Sequence, residues 1–212
     1  MTQVALDISV SADGFVAGPN ATLEEPLGTG GEQLHDWITR LAGWRSRHGL
    51  DGGDTGAEND YLEELLAPVS AYVMGRRMFS GGQGPWSDDP NADGWWGDEP
   101  PFHAPVFVLT SHARELDKRG GTTFTFVTEG IETALEQARA AAGDGEVRIA
   151  GGASIAQQAL RAGQLDVMHL HVVPVLLGGG ISLFGELGSQ VKLELARVIS
   201  SSAVTHMTYT RA

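Results

Sequence analysis

The sequence predicts an α/β fold on a mixed, mostly parallel sheet, and three observations predict it. Short apolar runs alternate with helical spacings through the middle of the chain. Two alternating runs follow one another in the tail, and several strands end directly in glycine. Strands separated by helices pair in parallel through crossovers, whereas two adjacent alternating runs fold back as an antiparallel hairpin.

Taken in order, Val4, Leu6, Ile8 and Val10 show the period-two pattern of a strand with one buried face, stopped by Asp13-Gly14. The stretch that follows is rich in Gly and Pro as far as Gly56, with a short helix expected only around Gln33 to Leu41. We read it as a lid or insertion. Asn59 reads as an N-cap, and Leu62, Leu65 and Leu66 mark a helix that Pro68 closes. Tyr72 to Met74, Val106 to Leu109, Phe124 to Val127 and Val147 to Ala150 read as buried strands. Ile131, Ala134, Leu135 and Ala138 have helical spacing up to Gly143, and a further helix covers Ile155 to Leu160. Asp166 to Val173 is a strand broken at Gly178. Val191, Leu193 and Leu195, then Val204 to Thr210, form the hairpin.

With 212 residues and 42% hydrophobic content, the chain buries a full core and is read as one domain over 1–212, with insertions at about 19–56 and 81–102. It has no cysteine, which removes disulfides, thiolate metal sites and cysteine nucleophiles. A net charge of -13 argues against nucleic-acid binding. No signal peptide or long apolar span is seen, so a soluble, cytoplasmic protein is expected, without membrane contact.

Three strand ends carry candidate chemistry. In Arg148 to Gly163, a strand runs into Gly151-Gly152 and then a helix opening near Ala153 and Ser154, whose free N–H groups suit a pyrophosphate. An ordinary tight turn would use the same residues. In Val73 to Phe79, Gly75 is followed by Arg76 and Arg77, which offer charge-assisted bonds to phosphate or pair with acids structurally. Thr110, Ser111 and His112 end a third strand, where a plain turn is the alternative. Ligands of open α/β sheets bind beyond the carboxyl ends of strands, so a phosphorylated nucleotide is the leading ligand.

These residues resemble the dihydrofolate reductase fold, and more closely the reductase domain at the C-terminus of riboflavin-biosynthesis deaminase-reductases and its stand-alone relatives. The resemblance is carried by SADGFVAG, MGRRMF, PVFVLTS, RIAGGAS and VVPVLLGGGISLF in that order, over almost the whole chain. It implies a three-layer fold with helices on both faces of the sheet and an NADPH-dependent oxidoreductase of the 5-amino-6-(5-phosphoribosylamino)uracil reductase kind. It also implies a homodimer. By the resemblance Gly75, Arg76 and Arg77 hold NADPH phosphates, with Arg76 and Ser111 on the 2′-phosphate. Gly151 to Ile155 hold the pyrophosphate, with a cis peptide between the glycines, and Val16 and Ala17 lie beside the nicotinamide. The zinc deaminase half is missing, since its ligands include cysteines.

The proton donor is open, with Asp13, Glu58, Asp60 and Glu63 as candidates beside the alternative of solvated or capping carboxylates. For a substrate, Trp37 and the Leu177, Gly178, Gly179 turn are the candidate walls. Trp86, Trp95 and Trp96 are further rings able to stack on a heterocycle or plug the core. His169 and His171 point the same way on one strand and are read as hydrogen-bonding residues, with no metal site expected. Three functions stay open: a reductase of a small heterocycle (a ribosylaminopyrimidine or a pteridine-like compound), a nucleotide-binding regulator or scaffold without turnover, and dihydrofolate reduction.

Overall fold

The computed structural model describes residues 2–185 and 187–212. Its strands are β1 (Val4–Ser11), β2 (Phe15–Ala17), β3 (Val69–Gly75), β4 (Pro105–Leu109), β5 (Asp117–Arg119), β6 (Thr122–Val127), β7 (Glu146–Gly151), β8 (Val167–Val173), β9 (Ile181–Ser182), β10 (Leu193–Ser200) and β11 (Thr205–Arg211). The helices are α1 (Asp36–Thr39), α2 (Ala42–Arg47), α3 (Ala57–Leu66), α4 (Arg76–Ser80), α5 (Ile131–Ala142) and α6 (Ala153–Arg161).

Among the described residues nine strands form one sheet in the order β10-β11-β8-β1-β7-β3-β4-β6-β5, while β2 and β9 pair separately. Pairing from β8 to β6 is parallel, and the hairpin β10–β11 joins β8 antiparallel, as the spacing predicts. At the far edge β5 adds a second antiparallel strand that the sequence does not announce, because Asp117, Lys118 and Arg119 carry no apolar alternation.

The strand faces divide the core into layers. Val4, Leu6, Val73, Val147 and Ile149 point to one face and pack on Leu135 and Ala138 of α5 and Ile155 and Ala159 of α6. The small alanines let both helices lie close to the strands. On the opposite face Leu62 of α3 meets Leu34, Trp37, Leu41 and Val173. Further along that side Met74, Val106, Val108, Phe79 and Phe124 form an aromatic cluster roofed by Trp86, Trp96 and Phe102. The tryptophan-rich segment is therefore a cover over β3, β4 and β6.

The α3 helix begins at Ala57 with Gly56 as its cap, so Asn59 is not the N-cap. Its side-chain oxygen instead accepts the Gly43 N–H at 2.7 Å and ties the insertion to α3. An amide of the first turn of α2, brought in by the tertiary fold, outcompetes the local capping role.

Candidate functional site

Parallel strands point their carboxyl ends to one edge of the sheet, and this brings the three motifs together. Gly75 at the end of β3 lies so close to α6 that a Cβ there would sit 3.0 Å from the Ile155 side chain. At the end of β7 the Gly151-Gly152 peptide is cis, as the resemblance implies, with Gly151 at φ 131° and nothing near the Cβ direction of Gly152. Ser154 is exposed and Ala153 and Ile155 are buried at the start of α6. Beyond β4, Thr110 Oγ1 accepts the His112 N–H at 3.1 Å, and Ser111 is exposed. Trp86 donates its indole N–H to the His112 carbonyl at 2.8 Å, so the tryptophan loop is fastened to this strand end.

Arg77 is exposed on α4, whereas Arg76 is only 6% exposed. Arg76 Nη1 is bonded to Asp89 and to Ser80 Oγ, and its guanidinium lies 3.4 Å from the centre of the Trp86 ring. Its Nε and Nη2 are enclosed without a hydrogen-bond partner. Burial lowers the Arg76 pKa against the opposing pull of Asp89.

A second group gathers around β2. Asp13 accepts hydrogen bonds from Ser11 Oγ (2.6 Å), the Leu177 N–H (3.1 Å) and the Gly178 N–H (2.7 Å), and the first of these leads in holding its carboxyl below the usual range. Ala17 pairs with Ile181, Val16 packs on the main core, and Gly180 sits against the Ala17 carbonyl. Thus Asp13, Val16, Ala17 and the Leu177–Gly179 turn form one corner.

The other acids are committed or exposed. Glu58 bonds Arg40 and Ser201, and these partners outweigh burial to lower its pKa. Glu63 pairs with Arg47 at 3.1 Å, and Asp60 is exposed. Trp37, expected at a substrate wall, is enclosed instead: it is 2% exposed, its N–H donates to Ser9 Oγ at 3.0 Å, and its ring rests 4.8 Å from both His171 and His206. The α3 layer has closed over it because Leu34, Leu41 and Leu62 need an apolar partner.

Beneath Trp37 runs a polar chain. Arg148, 2% exposed, donates to Asp7 (2.6 Å), Glu146 (2.7 Å) and the Leu65 carbonyl (2.7 Å). The other Asp7 oxygen is 2.8 Å from His171 Nε2, and His171 Nδ1 is 2.8 Å from His206 Nδ1. Burial works to raise the Asp7 pKa, but His171 and then Arg148 outweigh it and hold the carboxyl well below the usual carboxylate range. Burial pushes His206 and His169 down to about 4, and it raises Tyr61 to about 12. His169 and His171 do act as hydrogen-bonding residues, His169 toward Thr208 at 3.1 Å. Asp7 and Arg148 escape a reading by motif, although Asp7 does interrupt an apolar strand on the face opposite Leu6.

A cavity of about 330 Å³ opens at the other end of the sheet, between α6, β8 and β11, and none of the strand-end motifs lines it. No helix among the described residues is long and apolar enough to cross a membrane.

The family model of the RibD C-terminal domain matches residues 2–207. Among curated proteins the chain is 32% identical over 88 residues to the uncharacterized protein YwjB of Bacillus subtilis (strain 168), a match covering 42% of this chain and 50% of that relative. Among solved structures it is similar to one named "Putative riboflavin biosynthesis protein" from Shewanella sp. PV-4, with TM-score 0.64 and 23% identity over 100% of this chain and 99% of the other. It is also similar to a diaminohydroxyphosphoribosylaminopyrimidine deaminase/5-amino-6-(5-phosphoribosylamino)uracil reductase from Thermotoga maritima, with TM-score 0.60 and 15% identity, covering 100% of this chain but 57% of that one. Dihydrofolate reductase from Enterococcus faecalis aligns with TM-score 0.51 and 15% identity over 99% and 96% of the two chains. These likenesses establish a dihydrofolate reductase-like fold.

Proposed function

Because the chain belongs to the RibD C-terminal domain family, we propose that it is an NADPH-dependent reductase transferring a hydride to a small heterocycle, a ribosylaminopyrimidine of riboflavin biosynthesis or a pteridine-like compound. The observation that carries this reading is the convergence of Gly75, Arg76 and Arg77, of Thr110 to His112, and of Gly151 to Ile155 at one edge of the sheet. Glycines there leave the backbone open to a pyrophosphate, and the two enclosed, unpartnered nitrogens of Arg76 suit an oxyanion. The bound cofactor supplies the hydride. The chain's own part is to bind and orient: the start of α6 and Arg77 hold phosphates, Val16 and Ala17 border the nicotinamide, and Leu177 to Gly179 border the acceptor. Asp13 fixes that turn in its ionised form.

Adding NADPH tests the reading. At a hundred times its dissociation constant it adds about 2.7 kcal/mol to the stability of the folded state and raises the melting temperature. No rise at millimolar NADPH would sink it. A second reading, nucleotide binding without turnover, is favoured by the enclosure of Trp37 and by the absence of an unpaired, buried acid among the four candidates. Binding of NADPH with no oxidation across a panel of pyrimidine and pteridine acceptors would select it.

A further inference from the structure

The segment that roofs β3 and β4 presents Arg76 with two things that a phosphorylated nucleotide would also bring. One is an anion. Asp89 Oδ2 takes Arg76 Nη1 and the Ser80 hydroxyl (2.7 Å), while Asp89 Oδ1 takes the Asn91 N–H (2.9 Å), and the Asp89 side chain is 2% exposed. The other is a planar ring, since Trp86 stacks on the guanidinium and is itself wedged edge-on by Phe126 and Phe79 at 5.0 and 6.0 Å. Arg114 approaches the same indole at 4.9 Å but is committed to Asp93 and to the Ala92 carbonyl. The cation that faces a phosphate is therefore already neutralised from within the chain.

We propose that Asp89 is a specificity-determining residue, an internal anion on Arg76 that lowers the affinity for nucleotides carrying a 2′-phosphate, so that the wild-type chain takes NADPH with little preference over NADH. This rests on the reading that Arg76 belongs to the dinucleotide site. A 2′-phosphate approaching Nε and Nη2 of Arg76 meets the Asp89 carboxylate across one guanidinium, and two anions on one cation repel. NADH lacks that phosphate and is spared the repulsion. Trp86 carries no charge and exerts no repulsion on a 2′-phosphate. The selectivity is therefore assigned to the charge of Asp89 and not to the ring.

The test is calorimetric titration of the full chain with NADPH and with NADH. In wild type the two dissociation constants should lie within about tenfold of each other. Asp89→Asn keeps the shape and the bond from the Asn91 N–H to Oδ1, turns the Ser80 bond around so that the amide donates to the hydroxyl, and removes the charge, so it should tighten NADPH roughly tenfold, on the scale separating charge-assisted from neutral hydrogen bonds, and leave NADH unchanged. The gain should vanish in Arg76→Met/Asp89→Asn, and urea denaturation establishes that each variant is folded. A purely structural Asp89 would weaken both cofactors together. Wild-type preference for NADPH beyond a hundredfold, or an unchanged ratio in Asp89→Asn with both cofactors bound, would overturn the assignment of Asp89 and leave the reductase reading intact. Failure of wild type and variant to bind either dinucleotide would overturn the reading itself, and this inference with it.

Discussion

Replacing Arg148 with methionine removes the one cation that Asp7 and Glu146 share inside the α3 layer. The two carboxylates then face each other in a closed space, and the Leu65 carbonyl loses its donor. Breaking a buried pair by removing one partner costs about 3–5 kcal/mol, which at about 2–4 °C per kcal/mol for a domain of this size lowers the melting temperature by roughly 6–20 °C. The pH dependence separates charge from packing. In wild type the depressed pKa of Asp7 stabilises the fold above the unfolded value of 3.8, and that contribution is lost as the pH falls through the lower folded value. Without Arg148 the burial that already raises the Glu146 pKa is unopposed, while Asp7 keeps His171, so the rise in folded pKa falls chiefly on Glu146. The folded variant then binds protons that the unfolded chain does not, and its deficit shrinks as the pH drops from 7 to 5. Urea denaturation of both proteins at those two pH values measures this. A loss below about 1 kcal/mol, or a gap that stays constant with pH, would refute the electrostatic account and leave only lost side-chain packing.

Wild type should itself lose stability on the acid side of neutrality. His169 and His206 are held neutral with pKa values of about 4, against 6.5 for the free group. The unfolded chain therefore takes up protons first, so their contribution is full above about pH 6.5 and declines toward pH 4 in a denaturation series. A flat profile over that window would contradict their burial. Gly180→Ala should disrupt the β2–β9 corner, because φ is 123° and a Cβ would lie 2.1 Å from the Ala17 carbonyl oxygen. Gly178→Ala, at φ 71° with open space around it, should cost only about 1 kcal/mol of backbone strain. Equal melting temperatures for the two variants would show that the corner yields freely.

Sequence pattern reveals elements whose cause is local. Val4 to Val10 and the spacing of Ile131, Ala134, Leu135 and Ala138 are legible because one apolar face is enough to define each. The two-residue β9 and the charged β5 exist only because a neighbouring strand offers hydrogen bonds, so nothing in their own residues marks them. The candidate site divides in the same way. The glycines and arginines of the strand ends are legible because they follow short apolar runs directly. Asp7 finds Arg148 across 141 positions and His171 across 164, and no spacing rule reaches that far. Asp89 is close to Arg76 in sequence, but it lies in a segment without periodicity. Trp37 reads in sequence as a ring able to stack on a substrate or to plug the core, and the residues that make it a plug, Leu34, Leu41 and Leu62, come from the insertion and α3 and meet only on folding.

The contact between the two Nδ1 atoms of His171 and His206 has a direction. Two ring nitrogens at 2.8 Å share a single proton, so one ring must donate and the other accept. With both rings neutral, the His171 Nε2–H donates a hydrogen bond to the Asp7 carboxylate, and its Nδ1 is left as the acceptor. His206 must then be the Nδ1–H tautomer, the less common form of a free imidazole, with a bare Nε2 lying 3.9 Å from Glu58. The ionisation of Asp7 thus sets the tautomer of a ring two links away. Nitrogen-15 chemical shifts of the imidazoles would report opposite tautomers for these two histidines.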